Sequence, residues 1–131
     1  MIKNFIVYFI FLISFVRVSQ NTNTYKNLSV NDFQTKIFKE KKVQLLDVRT
    51  IEELESGIIK NSKNINWFDA NFDKQATVLD KNKAVYVYCK AGGRSSKACA
   101  KLAELGFTKI YNLDGGMDSW KIAKKEITYK N

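Results

Sequence analysis

The sequence contains no histidine and only two cysteines, and these two scarcities exclude several classes of protein. Without histidine there is no Ser-His-Asp triad, no Cys-His protease dyad and no histidine metal cluster. Two cysteines are too few for a structural zinc site or a disulfide-dense scaffold. Any catalysis must therefore use cysteine, lysine, arginine, tyrosine or carboxylate side chains.

Length and charge set further bounds. A chain of 131 residues with 45% apolar residues suits one domain with a buried core and argues against intrinsic disorder. Lysine and arginine number 22 against 13 acidic residues, which gives a formal charge of +9. This surplus suggests attraction to anions, although for most of these lysines an ordinary solvated surface is the favoured interpretation. The basic residues do not form the dense blocks of a nucleic-acid tract, so no nucleic-acid partner is expected.

The amino-terminal segment has the pattern of an export signal. A mostly apolar run, FIVYFIFLISFV over 5–16, lies between Lys3 and Arg17 and is shorter than the ~20 residues of a spanning helix. We predict a signal peptide over 1–19, a polar leader over 20–27 and a domain over 28–131. The alternatives for the first segment are an uncleaved anchor and a buried core helix. The expected location is periplasmic or extracellular, with membrane attachment only if the segment is retained.

The rest of the chain alternates helical patterns with apolar segments of strand length. Continuous apolar strands between helices imply a parallel sheet covered on both faces. We therefore predict a single three-layer α/β domain with a mainly parallel central sheet of about five strands. The pattern predicts helices over 30–39, 50–55, 95–105 and 117–125, and strands over 43–47, around 65, 84–88 and 109–113.

Cys89 stands at the carboxyl end of the clearest predicted strand, where open parallel sheets bind ligands. The backbone N–H groups that follow can converge on one point, and the start of a helix adds partial positive charge. Two consecutive glycines permit such a cradle, which favours the thiolate and makes Cys89 the predicted nucleophile. The alternative is an inert buried cysteine before a tight turn. The predicted binding loop comprises Lys90, Ala91, Gly92, Gly93, Arg94 and Ser95.

Four segments together resemble a single-domain rhodanese, a sulfurtransferase. They are LLDVRT (45–50), GIIKNSKNI (57–65), CKAGGRS (89–95) and LDGGMDSW (113–120). The resemblance implies that Cys89 takes sulfane sulfur as a persulfide from a small anionic donor such as thiosulfate. It then passes the sulfur to cyanide or a thiol, with no metal or organic cofactor. The alternative within this family is a persulfide carrier that docks to a sulfur-relay protein and turns over little free donor.

The resemblance also suggests roles for residues outside the loop. Asp47 would orient nearby groups and Arg49 would line the mouth of the pocket, although a structural salt bridge is an equal alternative for each. Arg94 would contact a substrate anion or close the loop on backbone carbonyls. The Gly115-Gly116 turn and Trp120 are read as structural.

Two departures from the family pattern accompany these matches. Ile58 and Lys60 stand where the family commonly has His and Pro. We expect this segment to be structural and the fold to survive, with the rate and pH profile altered.

Cys99 is a second candidate thiol, but its place inside a predicted helix indicates a packing residue rather than a partner for Cys89.

Cysteine phosphatases and arsenate reductases are the rival enzymes with related architecture. Phosphatases of this type have one more residue between Cys and Arg than the four between Cys89 and Arg94. A shorter loop makes a smaller cradle, which suits a single sulfur better than a tetrahedral phosphate. These phosphatases also usually carry a His where this chain has Tyr88. Sulfur transfer is therefore the favoured function.

Overall fold

Every strand of the central sheet runs parallel to its neighbours. The computed structural model describes residues 24–130. The strands are β1 (Lys26–Leu28), β2 (Gln44–Asp47), β3 (Lys63–Asn64), β4 (Val85–Tyr88) and β5 (Ile110–Leu113). They lie in the order β1-β5-β4-β2-β3. The helices are α1 (Val30–Lys39), α2 (Phe72–Ala76), α3 (Gly93–Glu104) and α4 (Gly116–Ile122), with a short 3₁₀ helix at Glu52–Ser56.

Alternation along β4 divides the core between the two faces of the sheet, because successive side chains of a strand point to opposite faces. Val85 and Val87 pack with buried residues of α2 and α3. Tyr86 and Tyr88 pack with buried residues of α1 and α4. The predicted three-layer α/β architecture with a five-stranded sheet is confirmed.

Local signals in the sequence account for several element ends. The Ser29 hydroxyl accepts a hydrogen bond from the Asp32 amide at 3.2 Å and caps α1. The predicted capping box also forms. The Glu53 carboxylate accepts a hydrogen bond from the Thr50 amide, and the Glu53 amide donates to the Thr50 hydroxyl. It starts a 3₁₀ helix rather than an α-helix. The last helix ends at Ile122 instead of the predicted 125, just before Lys124 adopts a φ of +56°.

Strand β1 includes Lys26 and Asn27, two residues that the sequence pattern assigns to the polar leader over 20–27. Asn27 pairs with Asn112 of β5, and the Asn27 side-chain oxygen accepts a hydrogen bond from the side-chain amide of Asn112 at 2.9 Å. The predicted signal peptide, residues 1–19, lies outside the described residues.

Within residues 24–130, none of the helices has both the length and the apolar character needed to span a bilayer.

Candidate active site

Cys89 follows β4 directly, at the carboxyl edge of the sheet. The Gly92 amide donates to its Sγ at 3.1 Å, and the Ser95 hydroxyl lies 3.3 Å from the same sulfur. Gly92 adopts a φ of +105°, a conformation that side chains disfavour, and α3 begins at Gly93. The turn at Gly92 and the first turn of α3 therefore direct their hydrogen-bond donors toward the sulfur atom that follows the end of β4.

Hydrogen bonding outweighs burial in setting the acidity of Cys89. Burial alone would raise the pKa of this thiol, because the thiolate loses its hydration. The Ser95 hydroxyl and the backbone amides of Ser95, Gly92 and Ala91 stabilise the thiolate, and the pKa of Cys89 falls below its ordinary value. The arrangement makes the sulfur a better nucleophile near neutral pH, since the thiolate is the reactive form.

The amino-terminal end of α4 supports the outer side of this loop. The Met117 amide donates to the Cys89 carbonyl, and the Asp118 amide donates to the Lys90 carbonyl, each at 2.9 Å. Gly116 has a φ of +57°, and a Cβ atom at this position would lie 2.6 Å from the carbonyl oxygens of Cys89 and Lys90. The absence of a side chain at Gly116 is therefore what allows α4 to hold the two peptide groups of the loop.

Polar side chains support the loop from beneath. The Ser96 hydroxyl donates to the Gly92 carbonyl at 2.8 Å. The side-chain amide of Asn112, which is buried on β5, donates to the Ser96 oxygen at 3.2 Å. These bonds link the central sheet to the residue whose amide faces the Cys89 sulfur.

Arg49 lies in the interior, with 2% of its surface exposed. Its guanidinium donates to both carboxylate oxygens of Asp47, at 2.7 Å for the shortest bond. Its remaining bonds go to the backbone carbonyls of Glu53 and Gly57. Asp47 and Arg49 thus form a buried ion pair that positions the loops at the carboxyl edge, and Arg49 also lines a small cavity next to Lys90.

Both cations of the binding loop are paired with carboxylates. Lys90 contacts Asp118 at 3.0 Å, in a pair that is largely exposed. Arg94 makes two bonds to Glu53, at 2.5 and 2.8 Å, rather than closing the loop on backbone carbonyls. These bonds lower the pKa of Glu53 to about 2, so this carboxylate is ionised at neutral pH.

The segment that departs from the family pattern is held by the carboxyl-terminal part of the chain. Ile58 is buried, and it exchanges two backbone hydrogen bonds with Thr128, each at 2.8 Å. Lys60 is exposed. The Tyr88 hydroxyl accepts from the Ile59 amide at 3.1 Å. The segment thus packs without the His and Pro of the common pattern, as expected.

Three contributors to the site escaped the sequence reading. Glu53 and Asp118 were not singled out as partners of the loop cations, and Gly116 was read only as part of a structural turn. The bonds from Arg94 to Glu53 and from Lys90 to Asp118 span 41 and 28 residues. Local patterns contain no signal for pairs so distant in sequence.

Comparison with known proteins places this site in context. The family model for the rhodanese-like domain matches residues 29–123. The chain is 31% identical over 78% of its length to the putative sulfur carrier protein YrkF of Bacillus subtilis (strain 168), and the match covers 54% of YrkF, about half of that relative. It is 34% identical over 75% of its length to the thiosulfate sulfurtransferase GlpE of Shewanella oneidensis, of which 94% is covered.

A solved structure shares the same architecture. The rhodanese-like domain protein from Staphylococcus aureus superposes with a TM-score of 0.69 at 31% identity, over 81% of this chain and 99% of that one. The family model spans most of the chain and includes the Cys89 loop and its supporting helices. The chain belongs to the rhodanese-like domain family.

Proposed function

We propose that this protein is a sulfurtransferase that carries sulfane sulfur as a persulfide on Cys89. The observation that supports this most directly is the geometry around the Cys89 sulfur. It is bonded by the Gly92 amide at 3.1 Å and by the Ser95 hydroxyl at 3.3 Å. A persulfide adds one sulfur beyond Sγ, and the same converging donors would stabilise its negative charge.

The reaction proceeds in two displacements. The Cys89 thiolate attacks the outer sulfur of a donor such as thiosulfate, a sulfur–sulfur bond forms, and sulfite leaves with the electron pair of the broken bond. An acceptor, cyanide or a thiolate, then attacks the outer sulfur of the persulfide. The Cys89 thiolate is released with its electron pair, and the donors of the loop stabilise it again.

Intact mass spectrometry tests the persulfide directly. The purified protein is incubated with thiosulfate or with inorganic polysulfide and then with cyanide. We expect a gain of one sulfur atom that cyanide removes, its retention in Cys99→Ala and its absence in Cys89→Ser. If neither donor gives an adduct on a folded protein whose Cys89 is still alkylated by iodoacetamide, the proposal is wrong.

A carrier role is the second candidate, and the name of the relative YrkF, a putative sulfur carrier protein, favours considering it. In this role the Cys89 persulfide would pass to a sulfur-relay protein, with negligible turnover of free donor. Steady-state turnover with cyanide, measured for each donor that loads Cys89, separates the candidates. Many turnovers per minute support the enzyme, whereas a stable persulfide with almost no turnover supports the carrier.

We also propose that the protein is exported. The apolar run over 5–16, flanked by Lys3 and Arg17, supports this proposal. Cleavage after Ser19 would leave Gln20 as the first residue of the mature chain. Amino-terminal sequencing of the protein recovered from producing cells, with cell fractionation, tests it. An intact Met1 in the cytoplasmic fraction would contradict it.

A further inference from the structure

The two cations of the Cys89 loop are each paired with a carboxylate. Lys90 and Arg94 are the cations that a free anionic donor would meet, and each already has an acidic partner. The Lys90 ammonium lies 3.0 Å from Asp118, and the Arg94 guanidinium makes two bonds to Glu53. A carboxylate this close cancels most of the field of its cation at the distance of an approaching ligand.

Both carboxylates are fixed in place by additional bonds. The Asp118 amide donates to the Lys90 carbonyl at 2.9 Å, so the backbone itself sets the acid beside the lysine. The Glu53 carboxylate also accepts from the Thr50 hydroxyl at 3.1 Å. These bonds hold both carboxylates in place through contacts within the protein itself.

Arg94 is shielded on a further side by an aromatic ring. Its guanidinium carbon lies 5.5 Å from the centre of the Phe68 ring, a side chain that is 67% exposed. A cation over a ring face is attracted to the ring's electron density. The surface next to the loop is therefore apolar at Phe68 and nearly neutral at Arg94.

A small cavity beside the loop has a modest positive balance. It has a volume of about 120 Å³, lies between the 3₁₀ helix and α4, and includes Lys90, Asp118 and Lys121 in its lining. The Lys121 ammonium donates to the neutral Ser56 carbonyl at 3.0 Å, and within residues 24–130 it forms no ion pair. In the described part of the chain, the cations of this group exceed their carboxylate partners by one. They are Arg49, Lys90, Arg94 and Lys121, beside Asp47, Glu53 and Asp118.

From this balance we infer that Asp118 and Glu53 determine donor specificity, by disfavouring a dianionic donor such as thiosulfate. The preferred donor is an organic hydropersulfide, whose reacting group carries at most one negative charge. This inference rests on the proposed persulfide function. The Cys89 thiolate attacks the outer sulfur of the protonated form, R–S–SH, and a new sulfur–sulfur bond forms. The bond between the two donor sulfurs breaks, RS⁻ leaves with its electron pair, and Cys89 becomes the hydropersulfide Cys–S–SH.

The test compares loading of Cys89 from two donors, thiosulfate and cysteine hydropersulfide, in the full-length protein. Loading rates are measured by rapid-quench mass spectrometry at low and at high salt. Asp118→Asn keeps the backbone bond to Lys90 but removes the negative charge. Asp73→Asn is the matched control, because Asp73 is an exposed acid that contacts Lys101 at 3.9 Å, away from the loop.

We expect Asp118→Asn to raise the rate of loading from thiosulfate by about threefold to tenfold at low salt. The gain should shrink as salt screens the charges. Loading from cysteine hydropersulfide should change by less than about twofold, and Asp73→Asn should change neither rate. Glu53→Gln is the second variant, and it should act in the same direction as Asp118→Asn.

Two results would overturn the inference. One is thiosulfate loading in both site variants no faster than in Asp73→Asn. The other is an equal gain with both donors, which would indicate a change in the nucleophile rather than in donor recognition. The failure of the proposed function looks different, because then neither donor would load Cys89 in the unaltered protein.

Discussion

Cys89 and Cys99 are two buried thiols of the same core cluster, with 1% and 0% of their surface exposed, yet their acidities are shifted in opposite directions. Burial raises the pKa of Cys99 well above its ordinary value. Burial also acts to raise the pKa of Cys89, but the hydrogen bonds from Ser95, Gly92 and Ala91 outweigh this effect and lower the pKa.

The difference comes from where each residue lies in its element. Cys89 follows a strand and precedes a helix start, where backbone amides have no partner within the helix. Cys99 lies inside α3, where the amides are already used by the helix. Low exposure therefore says little about the reactivity of a thiol. What matters is whether unpaired donors surround the sulfur.

Displacing the loop that supplies these donors should have the largest effect. Gly116→Ala adds a Cβ atom that would lie 2.6 Å from the carbonyl oxygens of Cys89 and Lys90, so α4 and the loop must separate. We expect persulfide loading to fall by about a hundredfold, as when donors to a developing anion are lost. The free energy of unfolding should fall by about 2 kcal/mol, because alanine is also strained in the left-handed conformation of this position. Rapid-quench mass spectrometry and urea unfolding measure the two effects.

Gly93→Ala is the matched control for this change. A Cβ atom at Gly93 would have no neighbour within 4 Å, and Gly93 is the first residue of α3 with an ordinary φ. Loading should stay within about twofold, and stability should be unchanged or higher by up to about 1 kcal/mol. Equal losses in the two variants would show that the loop tolerates no alanine, rather than that α4 supports it.

Removing a single donor should have a smaller effect on the same sulfur. Ser95→Ala deletes the hydroxyl that lies 3.3 Å from Cys89 Sγ, and we expect the pKa of Cys89 to rise because the thiolate loses a hydrogen-bond donor. At neutral pH the thiolate fraction and the alkylation rate should then fall, and they should recover as the pH is raised. The pH dependence of alkylation by iodoacetamide measures the shift.

Ser96→Ala separates the effect of the donor from the loss of a hydroxyl as such. The Ser96 hydroxyl donates to the Gly92 carbonyl rather than to the sulfur. Its removal should shift the alkylation profile much less than Ser95→Ala does. Identical profiles for Ser95→Ala and the unaltered protein would contradict the assignment of Ser95 as a thiolate donor.

The longer elements of the fold could be predicted from the sequence because their signals are local. Helix α1 carries its own cap at Ser29, and α3 ends before Gly106, which has a φ of +99°. Strand β1 was missed as a strand, since its three residues KNL have no periodicity and depend on pairing with β5. Helix α2 was missed because it has only five residues, of which Phe72 and Ala76 are buried.

At the site, too, only the features that lie within one continuous segment could be predicted. The position of Cys89 after β4 and the amides around it belong to one continuous segment, which made the cradle predictable. The roles of Arg49 and Arg94 could not be decided, because they depend on Asp47, Glu53 and Gly57 meeting them in three dimensions. Which charged side chains meet depends on the fold, whereas the sequence shows only the number of charges of each sign.

The smallest expected effect concerns Cys99 and the stability of the fold. Its raised pKa keeps Cys99 protonated in the folded state, whereas the unfolded chain ionises it above about pH 8.5. The unfolded state then binds fewer protons, so Cys99 makes stability fall as the pH rises, by about 1 kcal/mol between pH 8 and 9.5. Cys89, with a lowered folded pKa, contributes with the opposite sign, and its contribution is complete above its unfolded pKa.

Cys99→Ala should therefore lose less stability between pH 8 and 9.5 than the unaltered protein, by about 1 kcal/mol. Cys89→Ala should lose at least as much stability over this range as the unaltered protein, because it keeps only Cys99, the thiol whose ionisation in the unfolded chain lowers stability. Urea unfolding in the presence of a reducing agent measures the three proteins, and the tyrosines and lysines common to all of them cancel in the comparison. The same pH dependence in Cys99→Ala and the unaltered protein would mean that the Cys99 thiol ionises as easily in the folded core as in the unfolded chain.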